Sequence, residues 1–168
     1  MPTDKGTYHS YLDLYRPLFE PLKESATDIL EIGIADGSSL QLWYEWFPNA
    51  TIHGVDINAA SSPDPRLHLI HGSAISPEVV SLLSKTTYDL IIDDGSHILA
   101  EQIMALSKLS PFLKPNALFI IEDIQGWNSS VRQVFQKAAT DLSLNMIVLD
   151  RRPIKGTPDD ILIILQKK

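Results

Sequence analysis

A chain of 168 residues with 44% apolar content is long enough for one domain with a substantial core. Its 21 acids against 14 Lys and Arg leave a formal charge of −7, the wrong balance for tracking nucleic-acid phosphates. Cysteine is absent, which excludes a disulfide framework, a thiol nucleophile and a cysteine-ligated metal. Met1 to Gly6 has no signal-peptide core and no apolar run reaches membrane-spanning length, so the expectation is a cytoplasmic protein with no membrane partner.

Taken in chain order, short apolar runs alternate with segments of helical period. That is the signature of βαβ units and a mostly parallel sheet. Thr7 to Glu20 places Tyr8, Tyr11, Leu12, Tyr15, Leu18 and Phe19 at helical spacing, with Pro17 expected to kink or split the helix. Strand one spans Asp28 to Ile34. Ser38 or Ser39 opens a helix with Leu40, Trp43, Tyr44 and Phe47 on its apolar face, ended by Pro48-Asn49. Strand two is Thr51 to Asp56, and Asn58 to Arg66 reads as loop.

Strand three is Leu67 to His71, and Ser76-Pro77 reads as a capped helix start. Strand four is Tyr88 to Asp93. Ile98 to Ser110 is a helix with Leu99, Ile103 and Leu106 inward. Strand five is Ala117 to Ile121. Ser130 with Gln133 resembles a capping box for a helix carrying Val131, Val134, Phe135 and Ala138. Leu144 to Leu149 and Ile161 to Leu165 are strands six and seven. The loop between them is too short for a crossover helix, so they are expected to pair antiparallel. The expected class is α/β, a Rossmann-like three-layer sandwich with seven strands, the last antiparallel. Residues 1–168 are read as one domain, with 1–24 a helical leader on the cofactor side.

Gly33 and Gly37 flank the turn after strand one, where small residues and a helix N-terminus let a ligand approach the backbone. A tight turn with no ligand explains the same pair. Glu31 lies inside an apolar strand and needs a partner, for which a ligand ammonium group is suitable. Asp56 ends strand two, where nucleotide folds place an acid on the ribose hydroxyls about 20 residues past the glycine turn.

With its acid before the glycine turn, Glu31-x-Gly33-x-Ala35-x-Gly37 resembles the signature of class I S-adenosylmethionine-dependent methyltransferases. Ala35 departs from the middle glycine, and the Gly33-x-Ala35-x-x-Ser38 spacing is not the one dinucleotide dehydrogenases prefer. The resemblance implies S-adenosylmethionine on Glu31, Gly33, Ala35, Ser38, Asp56 and Ile57, with Ser73 facing the adenine.

Strand four ends in Asp93-Asp94-Gly95-Ser96-His97, and strand five in Glu122-Asp123. These strands are neighbours in such a fold, so four carboxylates converge at the edge where ligands bind. Mutual repulsion calls for a cation, and oxygen ligands suit Mg²⁺. Helix capping by Asp94 or Ser96 is the alternative, though it does not explain two acidic pairs on two strand ends. Asp93 is equally suited to the cofactor. His97, near a helix start, is expected to be held neutral by the helix dipole, as a general base requires.

Asp-Asp-Gly-Ser-His is similar to a motif of the metal-dependent sugar O-methyltransferases of macrolide biosynthesis, the mycinamicin and macrocin type. It also resembles the cephalosporin hydroxylase-like and rhamnosyl O-methyltransferase group. The resemblance implies Asp94, Asp123 and Glu122 as metal ligands and His97 as base. Asp4-Lys5-Gly6, then His9, Tyr11, Tyr15 and Phe19, resembles that group's leader, which places Lys5 and Tyr15 at the cofactor. A plain amphipathic docking helix explains the aromatic spacing equally well. The acceptor is expected to be a small-molecule hydroxyl, met by the Asn58–Arg66 loop, the Trp127 region, the Arg151-Arg152-Pro153 loop or a second subunit of a homo-oligomer. A catechol or polyketide acceptor, a nicotinamide-dependent oxidoreductase and a non-catalytic binding module remain as rival readings.

Overall fold

The computed structural model describes residues 11–59 and 61–168, apart from the side chain of Lys155. Seven strands form one sheet: β1 Asp28–Ile32, β2 Thr51–Asp56, β3 Leu67–His71, β4 Tyr88–Asp93, β5 Leu113–Ile121, β6 Leu144–Asp150 and β7 Ile161–Lys167. Their order is β3-β2-β1-β4-β5-β7-β6. All pairings from β3 to β5 are parallel, while β7 runs antiparallel to both β5 and β6. β1 stops at Ile32, two residues short of the expectation, because Gly33 turns to φ +80°. β5 starts earlier than expected, at Leu113.

Strand alternation sorts the core into two faces. Ile29, Ile52, Leu90, Ile92 and Ile120 face one side, where α1 (Leu12–Phe19) and α2 (Ser38–Trp46) pack. Leu30, Val55, Ile91, Phe119 and Ile121 face the other, covered by α3 (Pro77–Leu83), α4 (Leu99–Leu109) and α5 (Ser129–Asp141). The result is the three-layer sandwich expected. α1 is not split at Pro17; it continues to Phe19 and tightens into a 3-10 turn at Glu20–Leu22.

Three local expectations change. α5 is capped by Asn128, whose side chain accepts from the Ser130 and Val131 amides at 2.8 and 3.1 Å. Ser130 therefore lies inside the helix, where its amide needs a cap, and does not supply one. The face of α5 is also displaced: Phe135 and Ala139 are buried while Val134 is 42% exposed. In α4 the deepest residues are Gln102, Ala105, Leu106 and Leu109, with Leu99 and Ile103 only partly buried. The β6–β7 connection carries one helical turn, α6 (Arg152–Lys155), yet the pair is antiparallel as expected. Ser76 caps α3 through the Val79 amide, also as expected. Among the described residues no helix is long and apolar enough to cross a membrane.

Candidate functional site

The ends of β2, β1, β4 and β5 are laced together at one level. Gly33 N donates to Val55 O, Asp94 N to Ile32 O, and Glu122 N to Asp93 O, each at 2.9 Å. The loops after these strands therefore begin side by side. Gly33 is required there for a steric reason. A Cβ at that position would lie 2.2 Å from the Asp94 carbonyl oxygen. The glycine lets the β1 turn lie against the backbone of the β4 loop.

Asp56 locks that turn from the other side. One carboxylate oxygen accepts from the Ile34 and Ala35 amides at 3.0 and 3.3 Å, the other from Asn58 N at 2.8 Å. Burial opposes its charge, but these backbone donors outweigh it and hold its pKa below the usual carboxylate value. The first amide of α2 is taken by its own chain. Asp36 Oδ1 accepts from both the amide and the hydroxyl of Ser38, at 3.0 and 2.7 Å.

Two cavities open at this edge, of about 600 and 520 Å³. Gly33, Ala35, Asp56 and Gly95 border both. The larger runs past Ile57, Ser73, Asp93 and Gln102. The smaller is polar-rimmed and runs past Ser38, Ser39, Asp94 and His97. Glu31 lies fully buried, two residues beyond Ile29 on the α2 face, and accepts from Ser39 Oγ at 2.7 Å. Asp93 is almost fully buried; its Oδ1 accepts from Gly95 N, and burial pushes its pKa up to about 7.

Strand alternation separates the β5 acids. Glu122 follows Ile120 onto the α1 face and accepts from Tyr15 Oη at 2.6 Å. Asp123 breaks the alternation at φ +52° and turns toward His97, itself at φ +56°. With Ala35 at +41°, three of the five non-glycine residues with positive φ among the described residues lie at this edge. Such backbone costs about 1–3 kcal/mol per residue and gathers at functional sites. Tyr11 Oη donates to the other Asp123 oxygen at 2.5 Å.

Asp94, His97 and Asp123 each offer one ligand atom, all within 4.8 Å of one another. His97 Nε2 lies 3.1 Å from Asp94 Oδ1 and 3.9 Å from Asp123 Oδ2. The capping alternative fails for both acid pairs. α4 has no side-chain cap, and α5 is capped by Asn128. The expected effect of the helix dipole on His97 is also corrected. Its pKa is raised, first by the hydrogen bond to Asp94 and then by the Asp94, Asp123 and Asp93 charges, against the opposing effect of burial. His97 lies outside α4, whose first residue is Leu99, so nearby carboxylates outweigh the dipole.

Of the other expected site residues, Glu122 stands outside the three-residue cluster, and Tyr15 is fully buried against Glu122, outside both cavity linings. Lys5 and His9 fall outside the described residues. Among the expected acceptor contacts, Arg66 is occupied by the Tyr44, Phe47 and Ala50 carbonyls at the end of α2, and Arg152 by Asp150. Gln102 was not anticipated. Its Nε2 donates to the Glu122 carbonyl at 3.1 Å, and its Oε1 is buried with no hydrogen-bond partner among the described residues. A glutamine on the inward stripe of α4 was the available signal.

No family model matches the chain. It is 32% identical over 164 residues to the 8-demethyl-8-alpha-L-rhamnosyl tetracenomycin-C 2'-O-methyltransferase of Streptomyces olivaceus, covering 92% of this chain and 43% of that protein. It is 31% identical over 129 residues to the mycinamicin VI 2''-O-methyltransferase of Micromonospora griseorubida, covering 71% and 32%. The chain thus spans less than half the length of these relatives. Among solved structures, a methyltransferase of the mycinamycin biosynthetic pathway in complex with Mg, SAH and mycinamycin VI aligns with TM-score 0.79 at 23% identity, covering 99% of this chain and 52% of that one. A SAM dependent methyltransferase from Archaeoglobus fulgidus aligns with TM-score 0.65 at 15% identity, covering 95% and 94%. The fold is that of class I methyltransferases, and the chain is similar to sugar O-methyltransferases of macrolide and tetracenomycin pathways.

Proposed function

We propose that this chain is one methyltransferase domain over residues 1–168 that transfers a methyl group from S-adenosylmethionine to a hydroxyl of a sugar or glycosylated natural product, assisted by Mg²⁺. The observation that carries the reading is the Asp94–His97–Asp123 cluster, of which Asp94 and His97 border the smaller cavity, beside a larger cavity whose residues suit a nucleoside. The relatives named above act on a rhamnosyl tetracenomycin and on mycinamicin VI, which supports a sugar hydroxyl as acceptor.

The residues fit both groups. S-adenosylmethionine has a sulfonium and an ammonium, and Asp56, Asp93 and Asp94 on the cavity walls make this edge favourable to cations. Gln102, Ser73 and Ile57 border the larger cavity, with Asp56 where ribose hydroxyls would lie. A dinucleotide fits poorly. Its pyrophosphate would meet Asp36 already seated on the α2 amide, with Asp56 and Asp94 beside it. For the metal, Asp94 and Asp123 supply oxygen ligands, with Glu122 adjacent in sequence. Mg²⁺ takes one or two carboxylates and leaves positions for substrate oxygens. When bound, it supplies charge neutralisation and a more acidic acceptor hydroxyl.

His97 is the group placed to take the acceptor proton, its ring held beside Asp94 at 3.1 Å. A cation held by Asp94 and Asp123 would weaken the Asp94 hydrogen bond and the two carboxylate charges that raise the His97 pKa, favouring the neutral ring that a base requires. Asp56 and Gly33 hold the turn against which the donor is positioned, and positioning contributes much of the rate. A small-molecule acceptor, a cytoplasmic location and a second copy completing the acceptor pocket belong to the same proposal.

Methyl transfer from labelled S-adenosylmethionine, assayed over rhamnosyl, macrolide-sugar and catechol acceptors with Mg²⁺ or EDTA, tests this. A sugar hydroxyl is expected to be labelled only with metal, and His97→Ala to lower turnover by about 10²–10⁴-fold while SAH still binds. Labelling of the catechol alone, or full activity in His97→Ala, rejects it.

A further inference from the structure

The N-terminal helix reaches the acid edge through two side chains that the chemistry above does not use. Tyr11 is the residue before α1, and Tyr15 follows one turn later, so both project from one helix face. Both are fully buried. Their hydroxyls go to different acids of the same strand end, Tyr11 to Asp123 and Tyr15 to Glu122. We propose that Tyr11 and Tyr15 are positioning residues of the metal site, their hydroxyls aiming the carboxylates that follow β5. This rests on the reading of Asp94 and Asp123 as metal ligands.

The geometry divides the Asp123 carboxylate between two tasks. Oδ1 is held by Tyr11, and Oδ2 faces His97 at 3.9 Å. Since Asp123 sits at φ +52°, outside the strand, strand alternation does not aim its side chain; the hydrogen bond from Tyr11 is one contact that does. Tyr15 is itself immobilised. Its ring stacks on Phe19 at 4.7 Å and meets Trp43 edge-on at 5.8 Å, while Phe19 packs on Trp43 and Phe47. A rigid aromatic column thus runs from α2 through α1 to the two acids. Groups that orient ligating carboxylates by hydrogen bonding affect metal affinity without touching the metal. Acids seated under phenols on a separate helix also make the site dependent on α1 docking.

Tyr11→Phe and Tyr15→Phe test this, because each keeps the ring and deletes only the hydroxyl. The probe is Mn²⁺ alone, titrated into protein free of cofactor and acceptor, with free Mn²⁺ read by electron paramagnetic resonance. Tyr11→Phe is expected to weaken Mn²⁺ binding about 10–100-fold. Tyr15→Phe should weaken it in the same direction but less, since Glu122 stands outside the three-residue cluster. Phe19→Leu is the control, expected to lower the melting temperature in EDTA and to weaken Mn²⁺ binding clearly less than Tyr11→Phe does. Unchanged or tighter binding in Tyr11→Phe overturns the proposal, and so does an equal loss in Phe19→Leu, which would mean that docking alone matters. If the unaltered chain binds no Mn²⁺, the metal reading itself fails, and this inference with it.

Discussion

Gly33 and Gly37 share one backbone conformation, φ +80°, but not one environment. A Cβ at Gly37 would meet nothing within 4 Å, whereas at Gly33 it would lie 2.2 Å from the Asp94 carbonyl oxygen and 2.7 Å from Gly95 Cα. Alanine at either site carries the left-handed backbone cost, about 1–2 kcal/mol. At Gly33 the overlap is with backbone and has no flexible end to move aside, which adds about 1–3 kcal/mol. For a chain of this size 1 kcal/mol lowers the melting temperature by roughly 2–4 °C. Gly33→Ala is therefore expected to melt about 2–12 °C below Gly37→Ala in thermal scans at one pH in EDTA. The displaced Asp94 backbone should also weaken Mn²⁺ binding in Gly33→Ala and not in Gly37→Ala. Equal melting temperatures would refute the claim that the glycine is there to let the two loops touch.

The α5 cap separates two neighbours: Asn128→Ala should cost about 1 kcal/mol and Ser130→Ala only a few tenths, read by urea unfolding. If Ser130→Ala proves the costlier, the cap is misassigned. His53 is buried beside Asp28 and the His68 and Tyr88 rings, and burial lowers its pKa despite the Asp28 contact. Below its unfolded value near 6.5 the unfolded chain binds the proton more readily, so stability falls as pH drops through that value. His53→Gln should lose less melting temperature between pH 7.5 and 5.5 than the parent, and an equal or larger loss contradicts the sign. Gln102→Leu removes the anchor to the Glu122 carbonyl at the wall of the larger cavity, so SAH should bind about 10-fold more weakly, near the 1.4 kcal/mol of one hydrogen bond. Unchanged SAH affinity in calorimetry would place the amide outside the ligand's reach.

β2, β3 and β4 end where the apolar runs end, and the acids after β4 and β5 meet because those strands pair. That much follows from period and topology. The partition of Glu122 and Asp123 was available in the two-residue alternation from Ile120 up to Glu122, and then lost. The φ +52° of Asp123 is a tertiary outcome with no mark in the spacing. The placement of His97 near a helix start suggested a dipole effect. Its left-handed backbone instead delivers it to Asp94, and a hydrogen bond at 3.1 Å outweighs a helix end. Asn128 and Ser130 are both good caps in sequence, and only the backbone decides which lies one residue outside the helix. For Asp56 the spacing suggests a ligand, while the fold adds a task inside the chain: its carboxylate accepts from three backbone amides, Ile34, Ala35 and Asn58.

Calorimetric titration with SAH in parallel with NAD⁺ is the most direct test of the acid-lined site. The Asp36 carboxylate seated on the first amide of α2, with Asp56 and Asp94 around Gly33, predicts that SAH binds and that NAD⁺ produces no heat of binding. Binding of NAD⁺ with no response to SAH would contradict the methyltransferase reading outright.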